Sequence, residues 1–431
     1  MTREIHQPIR INVGSIPEPK ESLPQTDAIM KAYRGWNTLE KPNGIGIIDF
    51  DLVKPVVPQQ FTSRRQVLET LTSFRDSINP VNPQEEFIKA KLNASVYFLR
   101  ALMGENIPYR EYVENITGVT PQIIPEGDIL REKSTLADLS KEAGYDPDKE
   151  SFNQFISKLI LSEGFVPGRE SFRSFSSGIK SSPEAEMIKN ESERCEAQLI
   201  PMVLESLGFQ GLEFPHATEA AVSRDYWMGW TKTRRGKLLL LYNLYPTWYQ
   251  GDMEYMTLHE VGGHFVQASL LRRRIVNGEV NPVIGITTVQ EPYTFIGEGT
   301  ADAISYFLPE VEQALSIQGL IARAKRAVRD YVQNNGHIWA NEGMDPEKVI
   351  EYVMDNDPFA QEDRVRMNVN NWVNNPQRRA YQYVYGISLY WHRQLRNRLS
   401  PEKRKAYLRH AMSGYETPSQ MMNFADQLTN S

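Results

Sequence analysis

The chain has 431 residues, 40% of them hydrophobic and 24% charged, with 48 basic and 54 acidic side chains giving a formal charge of −6. That is an ordinary globular composition; it excludes intrinsic disorder, and it leaves no cationic excess for binding nucleic acid. The single cysteine, Cys195, excludes disulfide frameworks, iron–sulfur clusters and cysteine-rich zinc sites, so any metal must be held by nitrogen and oxygen from a pool of seven histidines.

The first eight residues, broken by Arg3 and Glu4, lack the apolar stretch of a secretory signal, so the expected compartment is the cytoplasm. The longest purely apolar run, Leu238–Tyr242, is far short of the ~20 residues that span a bilayer, so no membrane partner is expected either. Residues 1–60 are punctuated by Pro17, Pro19, Pro24, Pro42, Gly44, Gly46, Pro55 and Pro58 and read as an extended arm. Helical periodicity follows. In Pro83–Met103, Ile88, Leu92, Val96, Leu99 and Leu102 recur at three- and four-residue steps, behind Glu85 and Glu86 in the first turn. Pro183–Leu207 repeats the pattern through Ile188, Cys195, Leu199 and Met202, which makes Cys195 a small core hydrophobe. Pro376–Leu399 does so through Ala380, Val384, Ile387, Trp391 and Leu395. Two stretches read as strands: Lys237–Tyr245, bounded by Gly236 and Pro246, and the β-branched Val283–Val289. The expected fold is mainly α with a small β-sheet (α+β), in two lobes, 1–180 and 181–431, joined near the Ser/Gly-rich Ser171–Ser182.

The segment Gly251–Arg274, GDMEYMTLHEVGGHFVQASLLRRR, has the chemistry. Asp252 suits a helix cap, Glu254 its first turn and Arg272–Arg274 its last. The zinc-hydrolase motif H-E-x-x-H puts two histidines on one helix face, with the glutamate as general base. Here His259, Glu260 and His264 are one residue further apart. In an ideal α-helix i and i+5 diverge by about 140°, too far to share an ion. A wide π-type turn restores a common face, and such turns occur mostly at functional sites. Gly262 and Gly263 fall where that turn must be, each costing about 1 kcal/mol relative to alanine in a regular helix. A bulge between His259 and His264 is therefore predicted. A third ligand is needed, and Glu298 supplies it from a predicted helix Gly297–Leu308, 34 residues beyond His264. Asp302, one turn on, would accept the free ring N–H of a ligand histidine. His216 and His392 read as structural, and His6, His337 and His410 have no evident partner.

At these residues the chain resembles the gluzincin metallopeptidases, whose two-helix site pairs a His-Glu motif with a glutamate on a following helix. The six-residue HEVGGH is similar to the motifs of the dipeptidyl peptidase III and tubulin-tyrosine carboxypeptidase families. A third likeness is to bacterial proteins with H-E-x-Y-P-G-H-H, then E-G-W-A, then Tyr-x-x-Gly; here Gly263-His264, Glu298-Gly299-Thr300-Ala301 and Tyr383-Val384-Tyr385-Gly386 follow in that order, without the Tyr-Pro pair or the doubled histidine and with Thr300 in place of tryptophan. The likeness covers roughly residues 236–400. It implies a zinc-dependent hydrolase of peptides or related amides, with zinc (or another divalent transition metal) on His259, His264 and Glu298, and Glu260 as the base. An oxyanion donor is expected from the helix Tyr381–Tyr390, with Tyr383 the first choice ahead of Tyr385 and Tyr381. Arg378 and Arg379 are candidates to hold a substrate carboxylate, and Lys237–Tyr245 is either core or a sheet edge that pairs with substrate. Two other readings of the same site are a hydrolase of small non-peptide substrates and a non-catalytic metal-binding protein; retention of Glu260 argues against the latter.

Overall fold

In the helix Pro83–Leu102 the sequence signals act as read: the Asn82 side chain accepts from Glu85 N at 3.0 Å, Pro83 opens the first turn, and Ile88, Leu92, Val96 and Leu99 are buried. The computed structural model describes residues 23–162, 183–221, 228–234 and 236–430. The junction Ser171–Ser182, the division between residues 180 and 181, and His6 lie outside the described residues. Most of the described chain is helical, with small sheets of two or three strands, the mainly α fold with minor β content expected from sequence. No helix among the described residues is long and apolar enough to cross a membrane.

Residues 26–40 differ from the expected arm. Thr26–Glu40 is a helix that buries Ile29, Tyr33 and Trp36, an apolar stripe at four- and three-residue spacing that the surrounding prolines and glycines obscured. After it, Ile48–Asp51 forms a strand that pairs antiparallel with Ile286–Thr288, more than two hundred residues away. The predicted strand Val283–Val289 is accordingly shorter. Its first half, Pro282–Gly285, is a 3-10 turn capped by Asn281, whose side chain accepts from Val283 N at 2.9 Å.

The strand Lys237–Asn243 is the middle strand of a three-stranded sheet, parallel to His216–Ala221 and antiparallel to Gly229–Arg234. Leu238, Leu239 and Leu240 are buried, which settles the choice between core and edge. The two edges are His216–Ala221 and Gly229–Arg234, and the latter is met by Ile48–Asp51, whose Asp51 N donates to Thr233 Oγ1 at 2.7 Å. A separate pair, Ile160–Ser162 with Trp248–Tyr249, leads into the helix carrying the His-Glu motif.

Tyr293–Phe307 and Pro183–Ser206 pack directly on that motif, with two further helices behind the first. Tyr293–Phe307, buried at every position except Thr294, lies between the motif and Pro376–Arg398. It is buried nearly all round although it carries Glu298, Thr300, Asp302 and Ser305, so these polar groups need partners inside the protein. Ile317–Asn341 packs against Pro376–Arg398 and against Glu126–Glu142 from the first half of the chain. Its inward face includes Asp330, Gln333, Asn334, Asn335 and His337, so it shows no clean apolar stripe in the sequence.

Two histidines on these helices are structural. His337 meets the Tyr109 hydroxyl at 3.1 Å through Nδ1, and His392 lies between the Ser388 carbonyl (2.7 Å from Nδ1) and the Tyr407 hydroxyl (3.0 Å from Nε2). Burial pushes His337 down to about 3, helped by Arg379, and His392 down to about 4. Both values lie below the unfolded ~6.5, so the unfolded chain binds more protons between there and the folded values. Stability therefore falls as pH falls through that window, by up to about 1.4 kcal/mol per pH unit for each histidine. Between pH 7 and pH 4.5 the urea midpoint of the parent should fall relative to that of His392→Gln, since only the parent carries this histidine's contribution; a difference that does not change with pH would remove His392 from the account.

Candidate metal centre

Gly251, at φ 83°, turns the chain into a continuous helix made of Asp252–Thr257, a π-helical stretch Leu258–Phe265, and Val266–Val276. The wide turn predicted from the spacing of His259 and His264 is present, and it brings the two rings to 4.8 Å between centroids. The two glycines have different roles. A Cβ on Gly262 would find its nearest neighbours at 3.5 Å, an ordinary contact, whereas one on Gly263 would lie 2.8 Å from Ala301 Cα and 2.5 Å from its Cβ. Gly263 is therefore required by the approach of the helix carrying Glu298. Asp252 is not the cap. It accepts from Tyr249 N at 2.9 Å and forms a buried ion pair with Lys325, while Gly251 takes the cap position.

The structure brings His259, His264 and Glu298 together, with one ligand atom of each within 4.8 Å of the others. His259 Nε2 is 3.2 Å from Glu298 Oε2 and 3.3 Å from His264 Nε2, and His264 Nε2 is 3.6 Å from the same oxygen. Donors at zinc bond lengths of ~2.0–2.1 Å in a tetrahedron lie about 3.3–3.4 Å apart, so the three atoms occupy the corners such an ion requires. The carboxylate supports this. Tyr381 donates to Glu298 Oε1 at 2.6 Å, whereas buried Oε2 has no hydrogen-bond partner. A buried carboxylate oxygen left unpaired is costly unless it faces a cation.

Asp302 Oδ1 lies 2.6 Å from His259 Nδ1 and also accepts from the Tyr255 hydroxyl. This fixes the His259 tautomer with Nε2 free for the ion. Burial works against a charged His259, but Asp302 and Glu298 outweigh it and hold its pKa well above the usual range. The two imidazoles in turn keep Glu298 well below the usual carboxylate range despite burial. The residues fit a divalent ion by donor chemistry and by spacing. Replacing Asp302 with asparagine should weaken zinc binding about 10–100-fold, read by competition with a chromophoric chelator; unchanged affinity would show that Asp302 does not support the ligand.

Glu260 is buried and lies in the wall of a cavity of about 100 Å3 that also touches His259, His264 and Glu298. Gly229, on the edge strand, leaves room for it: a Cβ there would be 3.0 Å from Glu260 Oε1. Tyr381 and Tyr385, one helical turn apart, share the same wall. Tyr383 does not reach the site. It is fully buried on another face of the helix, donating to Thr120 O at 2.9 Å and accepting from Gln122 N at 3.1 Å. The expectation for Tyr383 is thus corrected in favour of its neighbours two positions either side. Arg379 is likewise committed elsewhere, to Ile107 O and Asn341. His216 pairs with Glu196 at 3.4 Å. Tyr255 was missed in the sequence, although its position one turn before His259 was the available signal. Asp49 and Gly229 come from distant strands and carried no local signal.

No protein-family model matches the chain, and no curated protein does. Among solved structures it is similar to a crystal structure of a "putative lipoprotein" from Colwellia psychrerythraea, at 13% identity and a TM-score of 0.49, over 81% of this chain and 56% of that one. The chain thus spans little more than half the length of that protein.

Proposed function

We propose that the chain is a gluzincin-like, zinc-dependent hydrolase of peptide or related amide bonds. The observation that carries this reading is the triangle of His259 Nε2, His264 Nε2 and Glu298 Oε2 at 3.2, 3.3 and 3.6 Å, with Glu260 beside it but outside it. A bound zinc would supply Lewis acidity and lower the pKa of a coordinated water.

The chain's own residues account for the rest. Asp302 and Tyr255 orient His259, and Tyr381 holds Glu298 by one oxygen. Glu260 takes the proton of the attacking water and returns it to the leaving nitrogen. Burial keeps the Tyr385 hydroxyl protonated at neutral pH, so it is a donor for negative charge developing on the carbonyl oxygen. The strand Gly229–Arg234 lines the cavity at Gly229–Thr231 beside Asp49 and Phe50, a wall along which an extended substrate would lie.

The small cavity also favours a second reading, a hydrolase of small non-peptide amides at the same site. Elemental analysis of freshly purified protein should find one zinc per chain, and a peptide mixture followed by mass spectrometry should show chelator-sensitive cleavage. Failure to hold or take up zinc would sink both readings. Zinc-dependent turnover of small amides alone would favour the second.

A further inference from the structure

The cavity at the candidate centre contains four carboxylates in its lining, Asp49, Glu260, Glu291 and Glu298, and neither lysine nor arginine. Three of these are accounted for. Glu298 belongs to the metal triangle, with its buried Oε2 otherwise unpartnered, and Glu260 is the base. Glu291 is neutralised by buried Lys91 and also accepts from Thr288 N at 3.1 Å. Asp49 remains. Among the described residues no cation forms an ion pair with it; the nearby Lys232 instead places its ammonium over the Trp230 ring, 4.1 Å from the centroid. The Trp230 side chain donates a hydrogen bond to Asp49, and burial together with Glu291 and Glu298 pushes its carboxyl up to about 7, against the opposing pull of Lys232 at longer range.

The backbone places this residue. Ile48 is opposite Thr288 and Phe50 opposite Thr287, so two steps on one strand meet one on the other, and Asp49 is the extra residue of a bulge. Bulges of this kind re-aim a side chain and recur beside active sites. Charge points the same way. With a divalent ion in the triangle, the carboxylates of Asp49, Glu260 and Glu298 in the lining exceed it by one negative charge. Lys232, outside the lining and engaged with the Trp230 ring, offsets this only at longer range, so a monovalent cation inside the cavity would meet a carboxylate with no ion pair of its own among the described residues. The cavity, about 100 Å3, has room for a compact one.

We propose that Asp49 receives a primary ammonium group of the substrate, so that the centre acts on amides bearing a free amine close to the bond that is cut. This rests on the hydrolase reading above, and it names the class of substrate. Tyr293 and Tyr415, stacked at 4.0 Å in the same lining, add aromatic surface of the kind that accommodates ammonium groups.

The test uses zinc-loaded full-length protein carrying Glu260→Gln, so that ligands bind without turnover. Calorimetric titration compares alanyl-alanine amide with its N-acetyl form, and with N-acetyl-lysine amide. The free amine should bind at least about tenfold more tightly than the acetylated dipeptide, and adding Asp49→Asn should abolish that preference. Tight binding of N-acetyl-lysine amide, again lost with Asp49→Asn, would support ammonium recognition and assign it to a side chain instead of an N-terminus. Equal binding of free and acetylated ligands would overturn the proposal, as would a preference that survives Asp49→Asn. The comparison of ligands on the parent protein stands even if Asp49→Asn fails to fold. Cleavage assays with Glu260 intact separate the two levels. Amine-dependent binding without hydrolysis would leave Asp49 its role and remove the hydrolase reading, whereas hydrolysis indifferent to acetylation would do the reverse.

Discussion

Replacing Glu260 with glutamine should lower zinc-dependent hydrolysis by about 10²–10⁴-fold, the range a positioned general base contributes, while zinc content stays at one ion per chain. The amide keeps the shape of the carboxylate and its fit against Gly229 but cannot accept a proton. Glu260 is outside the triangle of ligand atoms, so metal affinity should not move. The measurement pairs elemental analysis with peptide turnover on the same preparation. Full activity with bound metal would refute the assignment of the base, and loss of the metal along with activity would place Glu260 among the ligands.

The second large effect is expected from Gly263→Ala. The added Cβ meets the backbone of Ala301 at 2.8 Å, and neither helix has a flexible end there that can give way. Overpacking of this sort costs about 1–3 kcal/mol, and here the strain separates the helix of His259 and His264 from that of Glu298 and Asp302. Both stability and zinc affinity should fall together. Gly262→Ala is the informative partner, since its Cβ meets only ordinary contacts at 3.5 Å and alanine favours the helix by about 1 kcal/mol. If both substitutions proved equally damaging, the glycines would be serving the wide turn itself and not the approach of the two helices.

This pair shows where sequence reasoning was sufficient and where it was not. One extra residue between two histidines, followed by two glycines, is a local signal, and local geometry was enough to predict a widened turn. The reason for Gly263 was not local, because it depends on Ala301, thirty-eight residues later. Glu298 and Asp302 were legible since a four-residue spacing fixes their common face. Tyr383 was misassigned because an apolar stripe border does not say which neighbour the helix faces, and the true neighbour is the loop at Thr120–Gln122. The Thr26–Glu40 helix was hidden by flanking prolines, although its stripe of Ile29, Tyr33 and Trp36 was readable. The walls formed by Asp49 and Gly229 depend on strand pairing across long stretches of chain, for which a single sequence offers no periodicity to count.

The pairing of Ile48–Asp51 with Ile286–Thr288 bears on how the protein is made. At roughly 5–20 residues per second of synthesis, the earlier strand waits on the order of ten to fifty seconds for its partner to be translated. During that interval its hydrogen-bonding edge is open, the condition under which strands pair wrongly or aggregate. The wall bearing Asp49 therefore cannot form until both strands are present, and long-range pairings of this kind slow folding. Yield of the native protein should therefore respond to chaperone supply and to translation speed more than the helical composition suggests.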